Sequence, residues 1–316
     1  MNTAAATTVK AVSERRKKKT FTKNRIILFA TALPMVLFIF AFKYIPLFGW
    51  IFAFYNYRPG IPLFQSEFVG FRYFEMLARD WDEVMRVLTN TLALSFLQIL
   101  ASPLSVILAI LLNEVNRPWF KKTVQTLTTL PYFISFVIVY SLATIMLSSS
   151  GMLNQVLMNL GWIDTPTNVL GNLHATWYFQ TAVSVWKSLG FGAIIYLAAI
   201  AGIDQELYDA ARVDGAGRFQ RIWHITVPGI MPTFFVLLLL NIAGILSVGF
   251  EQQLVFYNSL VADRIETIDY YVYRMGIGTG QISYGTAVGI VKSVVSIALL
   301  FTVNALSRRI RGESVF

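Results

Sequence analysis

No cysteine occurs anywhere in the 316 residues, which excludes disulfides, thiolate nucleophiles and cysteine-ligated metals. Histidine is nearly as scarce: His174 and His224 are the only two. They fall on opposite sides of the topology reasoned below, so a histidine metal site or an H-E-x-x-H helix cannot be assembled. The G-x-S-x-G nucleophile turn is missing as well. So is the G-x-x-x-x-G-K-[ST] loop whose backbone cradles phosphates, and ATP is therefore not held here in that manner. Charge is the last shortage. Asp, Glu, Lys and Arg make up 14% of the chain against 56% hydrophobic residues, more apolar content than a soluble domain usually buries. The formal charge of +9 comes from clustered rather than dispersed basic residues, so it reads as membrane topology and not as nucleic-acid binding.

A hydrocarbon core of about 30 Å takes roughly 20 predominantly apolar residues per helix. Six stretches meet or approach that length, near 27–53, 87–112, 124–147, 177–201, 229–249 and 284–306. The basic start followed by an apolar run over 26–54 resembles a signal sequence, but the run is too long and no small-residue cleavage site follows a short core. It is expected to remain as the first span. The expectation is an all-α polytopic membrane protein with six transmembrane helices. It has a basic N-terminal segment over 1–25, a transmembrane domain over 26–307 and a tail over 308–316.

Basic residues orient it. Lys10, Arg15, Arg16, Lys17, Lys18, Lys19, Lys23 and Arg25 precede the first span, and Arg117, Lys121 and Lys122 lie between the second and third. Arg212, Arg218 and Arg221 fall between the fourth and fifth, and Arg308, Arg309 and Arg311 close the chain. Six spans put all four groups on one side, which the positive-inside rule makes cytoplasmic. Both termini are then cytoplasmic. The segment 54–86 mixes both signs and is expected outside with a short interfacial helix. The segment 148–176 has no Lys or Arg, and Trp162, Trp177 and Tyr178 suit the headgroup level there. The aromatic segment 250–283 is expected to fold back toward a cavity.

The loop 202–228 is unusual because it is long, amphipathic and ordered in pattern. At about 100° per residue, Ile203, Leu207, Ala210 and Ala211 share one face of a short helix, and Gln205, Asp209 and Arg212 the other. Gly215 and Gly217 permit a sharp turn. A second short helix then presents Phe219, Ile222 and Trp223 together, and Pro228 suits the first turn of the fifth span. Small residues at Ala210, Ala211, Gly215 and Ala216 allow close approach of a partner, with flanking charges to fix its register. An interfacial helix lying on lipid is the plainer alternative. His224 suits the docking surface, and His174 a solvated loop.

The stretch DAARVDGAGRFQRIWHITVP resembles the EAA loop of permease subunits of binding-protein-dependent ABC importers. That pattern runs E-A-A, three residues, Gly, nine residues, Ile, one residue, Leu-Pro. Asp209, Ala210, Ala211, Gly215, Ile225, Val227 and Pro228 occupy it, with Asp209 in place of Glu and Val227 in place of Leu. The resemblance extends from about residue 25 to the end, through NTLALSF at Asn90 and SYGTAVGIVKSVVSIALLFTVNALSRR near the C-terminus. Within the family it is most similar to the carbohydrate branch, and YNSLVADRIETIDYYVYRMGI, Tyr257 to Ile277, is similar to a stretch typical of permeases for plant or algal oligosaccharides and uronides.

The resemblance implies the type I ABC importer permease fold with a cytoplasmic coupling helix, and a non-catalytic transport subunit that binds no cofactor. The coupling residues would be Asp209, Ala210, Ala211, Arg212, Asp214, Gly215, Phe219, Ile225 and Pro228. The implied partners are a second, similar permease, two ATP-binding subunits holding ATP and Mg, and an external sugar-binding protein, with alternating access as the mechanism.

Polar groups at span depth should face a cavity or another helix. Gln98, Tyr140, Trp186, Lys187, Asn241 and Lys292 are the candidates, since aromatic faces stack on sugar rings and amides bond hydroxyls. Helix-to-helix hydrogen bonds and snorkelling lysines compete with that reading. If Lys187 and Lys292 line one cavity without full pairing to Glu251, the path favours acidic, uronide-bearing oligosaccharides. All seventeen carboxylates lie outside the spans or at their ends, which weighs against the main alternative, an ion-coupled secondary transporter. The two lysines weigh against a membrane scaffold; a permease for another solute class stays open.

Overall fold

The computed structural model describes residues 23–311, with the side chains of 27–302, 304 and 305. The basic residues from Lys10 to Lys19 lie outside the described residues, as do the side chains of Lys23, Arg25, Arg308, Arg309 and Arg311. The chain divides into two units, Met1–Ile51 and Phe52–Phe316. Among the described residues, six helical stretches are long and apolar enough to cross a membrane: Ile27–Phe54, Trp81–Glu114, Phe136–Asn159, Thr176–Ala201, Arg218–Ala243 and Ile282–Thr302.

Proline explains most departures from straight α-helix. The first stretch passes from α-helix Lys23–Ile39 through a π turn, Phe40–Tyr44, into a 3-10 run, Ile45–Phe54. Pro46 lacks the N–H that a regular ladder needs there, whereas Pro34 sits within the α-helical part. The second stretch is two helices, Trp81–Ala101 and Pro103–Glu114, joined at Ser102.

The expected span over 124–147 is a broken helix: Pro118–Thr129, then a 3-10 turn Leu130–Phe133, then Phe136–Leu147. Pro131 cannot donate to the ladder, Ile134 turns extended, and Ser135 starts the next helix by accepting from Ile138 N. The apolar stretch then continues through Met152–Asn159. The fifth span begins eleven residues before the expected 229, because Arg218–Arg221, a π turn Ile222–Thr226 and Val227–Ala243 run on as one rod.

Close backbone approach holds the bundle. A Cβ added at Gly190 would sit 2.2 Å from the carbonyl of Thr128, so only glycine lets the fourth span meet the helix before the break. One buried cluster joins Ala109, Ala193, Tyr196, Ile200 and Ile230 from the second, fourth and fifth spans. Another joins Val139 and Ala143 to Phe256, Val261 and Ile265.

The last three belong to 250–283, the aromatic segment expected to fold back toward a cavity. It is largely helical, as Phe250–Phe256, Ala262–Ile265, Ile268–Tyr273 and a π turn Arg274–Gly278, and it is packed into the bundle. Glu266, 1% exposed, is paired with Arg274 at 2.6 Å and Arg86 at 3.1 Å. Arg274 also reaches Glu83 at 3.0 Å, and Arg86 reaches Asp263 at 3.1 Å. Burial opposes the charge on Arg274, but the carboxylates of Glu266 and Glu83 outweigh it and raise its pKa above the ordinary arginine value.

Trp177, at the start of the fourth span, is half-buried and packed against the segment 250–283. Its Nε1–H donates to the Arg264 carbonyl at 2.8 Å and to Asn90 Oδ1 at 3.2 Å, with the Arg264 guanidinium 4.4 Å over the ring. Trp162 and Tyr178 are exposed. The helix expected in 54–86 is Arg72–Arg79.

Candidate functional site

The loop 202–228 folds as two short helices, Gln205–Val213 and Arg218–Arg221. The Asp204 carboxylate caps the first by accepting from Glu206 N at 2.9 Å, satisfying one of the free N–H groups of the opening turn. Gly215 turns the chain with φ +79° and open space where a Cβ would project; its constraint is therefore backbone conformation and not crowding. Gln220 Oε1 accepts from Gly217 N at 2.7 Å and starts the second helix. Asp209 and Arg212 pair at 2.8 Å on the exposed face. Arg218 reaches Glu114, the last residue of the second span, at 3.5 Å.

The buried anchor is Tyr208, whose hydroxyl is 2.9 Å from Thr226 Oγ1. Leu207, expected on the packed face, is exposed. The packed face is about one residue, roughly 100°, further round than the apolar count suggested, because a tyrosine with a buried hydrogen-bond partner seats the helix more firmly than leucine. Three large apolar side chains are left outside: Val213 at 88%, Phe219 at 88% and Trp223 at 70% exposure. Ala211, Asp214, Gly215 and Ile225 line a shallow concavity beside them. Asp209 and Ala210 are exposed, and Pro228 lies in the first turn of Val227–Ala243. Three exposed large apolar side chains flanked by charges on a polar loop have the composition of a docking face.

Deeper in the bundle a cavity of about 420 Å³ opens between the second, fourth and fifth spans. Its polar lining is Ser95, Gln98, Ser102, Ser105, Ser184, Ser188, Tyr196, Asn241 and Ser247, and no charged side chain is among the residues lining it. Ser102 Oγ is buried there without a hydrogen-bond partner. A wall of hydroxyls and amides on an apolar frame suits a polyhydroxylated solute.

Of the residues expected on a path, Asn241 and Gln98 line this cavity, and the others do not. Tyr140 packs edge-on against Phe256 at 5.2 Å in the hydrophobic cluster. Trp186 is exposed outside the cavity. Lys187 donates to the carbonyls of Tyr132 at 2.6 Å and Pro131 at 3.4 Å, and lies over the rings of Phe136 and Tyr132. Lys292 pairs with Asp269 and donates to Ser247 Oγ at 2.9 Å. Neither lysine pairs with Glu251, which is exposed at the start of Phe250–Phe256. The two lysines therefore do not share a cavity with charge to spare.

Sequence reasoning missed the serine wall and the Glu266 cluster. Serines are common at span depth because they can bond back to their own helix, as Ser188 does to Ser184 O at 2.9 Å, so their convergence is a tertiary fact. The cluster left a usable signal: Glu83 and Arg86 in the first turns of a span, with Glu266 and Arg274 eight residues apart.

The profile of the family described as binding-protein-dependent transport system inner membrane component matches residues 101–312. Protein LplB of Bacillus subtilis (strain 168) is 42% identical over 293 residues, covering 92% of this chain and 91% of that protein. The polygalacturonan/rhamnogalacturonan transport system permease protein YteP of the same organism is 36% identical over 321 residues, 99% of this chain and 98% of that one. Among solved structures, a chain of a bacterial ABC transporter involved in the import of the acidic polysaccharide alginate superposes with a TM-score of 0.81 at 36% identity, covering 92% of this chain and 97% of that one. A chain from a bacterial alginate ABC transporter in complex with alginate pentasaccharide-bound periplasmic protein gives 0.82 at 35% identity, with the same coverage.

Proposed function

We infer that this chain, which belongs to the family of binding-protein-dependent transport system inner membrane components, is one permease subunit of an ATP-driven importer of oligosaccharides. The observation that carries the reading is the ordered apolar face of Val213, Phe219 and Trp223 on the loop 202–228. A separate ATPase docks on that face in the cytoplasm, and its closure rotates the fifth span through the rigid Tyr208–Thr226 joint. ATP and Mg stay in two such partner subunits. A second, similar permease completes the path, and a sugar-loaded binding protein delivers cargo from outside. Both termini are cytoplasmic in a bacterial plasma membrane.

Oligouronides are the favoured cargo, on the strength of the names carried by two relatives, the polygalacturonan/rhamnogalacturonan permease and the alginate importer. The cavity of this subunit contributes hydroxyl and amide contacts, so recognition of cargo charge rests with the binding protein or the second permease. Reconstitution with the ATPase and binding protein tests this directly. Uptake of an oligogalacturonate should need ATP and the binding protein, and uptake driven by an ion gradient without the ATPase would overturn the reading.

A further inference from the structure

A second cavity, of about 540 Å³, lies where the second span ends, the fourth span ends and the fifth begins. We infer that it is a binding site for a singly charged phosphate group, of the kind carried by a phosphodiester lipid headgroup or by free phosphate. Its walls come from Asn113 and Glu114, from Ile200 and Ala201, and from the loop residues Arg212, Arg218 and Arg221. Those span ends place it at the depth of the headgroups, where basic pockets between helices take anionic lipids.

The charges leave one cation over. Arg212 is held by Asp209 at 2.8 Å and Arg218 by Glu114 at 3.5 Å. Arg221 is half-buried, its buried Nε has no hydrogen-bond partner, and among the described residues no carboxylate pairs with its guanidinium. A buried guanidinium N–H without an acceptor is costly, and a phosphate oxygen accepts from the fork in bidentate geometry. Asn113, Asn116 and Gln205 supply neutral polar groups on the same wall. Arg221 is also two residues from both Phe219 and Trp223, so an occupant would steady the second short helix.

The test compares two sources of phosphate on the assembled complex in nanodiscs. One arm titrates phosphatidylglycerol into phosphatidylcholine discs, and the other adds inorganic phosphate to pure phosphatidylcholine discs. Native mass spectrometry counts retained lipid, and a thermal-unfolding shift reads either ligand. Binding in at least one arm should weaken roughly tenfold in Arg221→Gln, which removes the charge-assisted bonds. Asn116→Asp, an exposed position that adds a carboxylate to the wall, should do the same and covers the case in which Arg221→Gln fails to fold. Response in the lipid arm alone identifies a headgroup, and response in the phosphate arm identifies a soluble anion. Equal binding by wild type and Asn116→Asp in both arms would overturn the assignment.

Discussion

Lys187 Nζ lies 2.6 Å from the carbonyl oxygen of Tyr132, fifty-five residues earlier in the chain. It thereby satisfies a backbone acceptor that the break at Pro131 strips of its helical partner. Lys187→Met keeps the stem and removes the donor. Losing a charged hydrogen bond to an exposed acceptor, together with the longer one to Pro131, should cost about 1 kcal/mol. The thermal midpoint of the complex should fall, and uptake of neutral and uronate-bearing oligosaccharides should change by the same factor. A selective loss of the acidic substrate would return Lys187 to the translocation path.

How far this could be read in advance depended on range. The turn at Gly215 and the two short helices follow from local spacing, and the structure has them where the pattern puts them. An intramembrane lysine announces that it needs a partner, but not which one: Glu251 was the nearest carboxylate in sequence to the fifth span, whereas the fold supplies backbone carbonyls to Lys187 and Asp269 to Lys292. The helices within the segment 250–283 were not legible because its apolar residues follow no single period. It is buried because its polar groups are paired with the second and fourth spans, Glu266 with Arg86 and Gln252 with Gln180.

That pairing makes Glu266 the most sensitive carboxylate in the molecule's interior. Glu266→Gln takes the one buried carboxylate from Arg86 and Arg274, which keep Asp263 and Glu83 as partners on the more exposed side of the cluster. Breaking a buried ion pair from one side typically costs about 3–5 kcal/mol. The expected outcome is loss of the folded subunit from detergent extracts or a large drop in unfolding temperature. Asp263→Asn, whose carboxylate is 74% exposed on the rim of the same cluster, should cost less than about 1 kcal/mol.

Gly215 separates conformation from crowding. At φ +79° with no atom within 4 Å of an added Cβ, a valine meets only backbone strain, which for an L-residue in that region is about 1–2 kcal/mol. Gly215→Val should insert in the membrane normally yet reduce uptake per ATP hydrolysed in reconstituted vesicles. Gly215→Asn, the residue most tolerant of that region after glycine, should recover most of the coupling. Equal defects in the two variants would place the sensitivity in the missing flexibility and not in the left-handed turn.

The Tyr208–Thr226 contact is the joint between the short helix and the fifth span, and it can be loosened without emptying the core. Tyr208→Phe retains the ring and removes the hydroxyl, leaving Thr226 Oγ1, in a side chain 1% exposed, without that partner. The cost should be about 1 kcal/mol, small against the stability of the whole bundle. It is large for a nine-residue helix that cannot persist in water by its own propensity. Amide exchange over 205–213 should therefore speed up by about fivefold while exchange in the fourth span stays unchanged. On the proposed coupling role, transport should fall with basal ATPase activity retained. Unchanged exchange over that helix would mean that its position is set by the docked partner rather than by the permease.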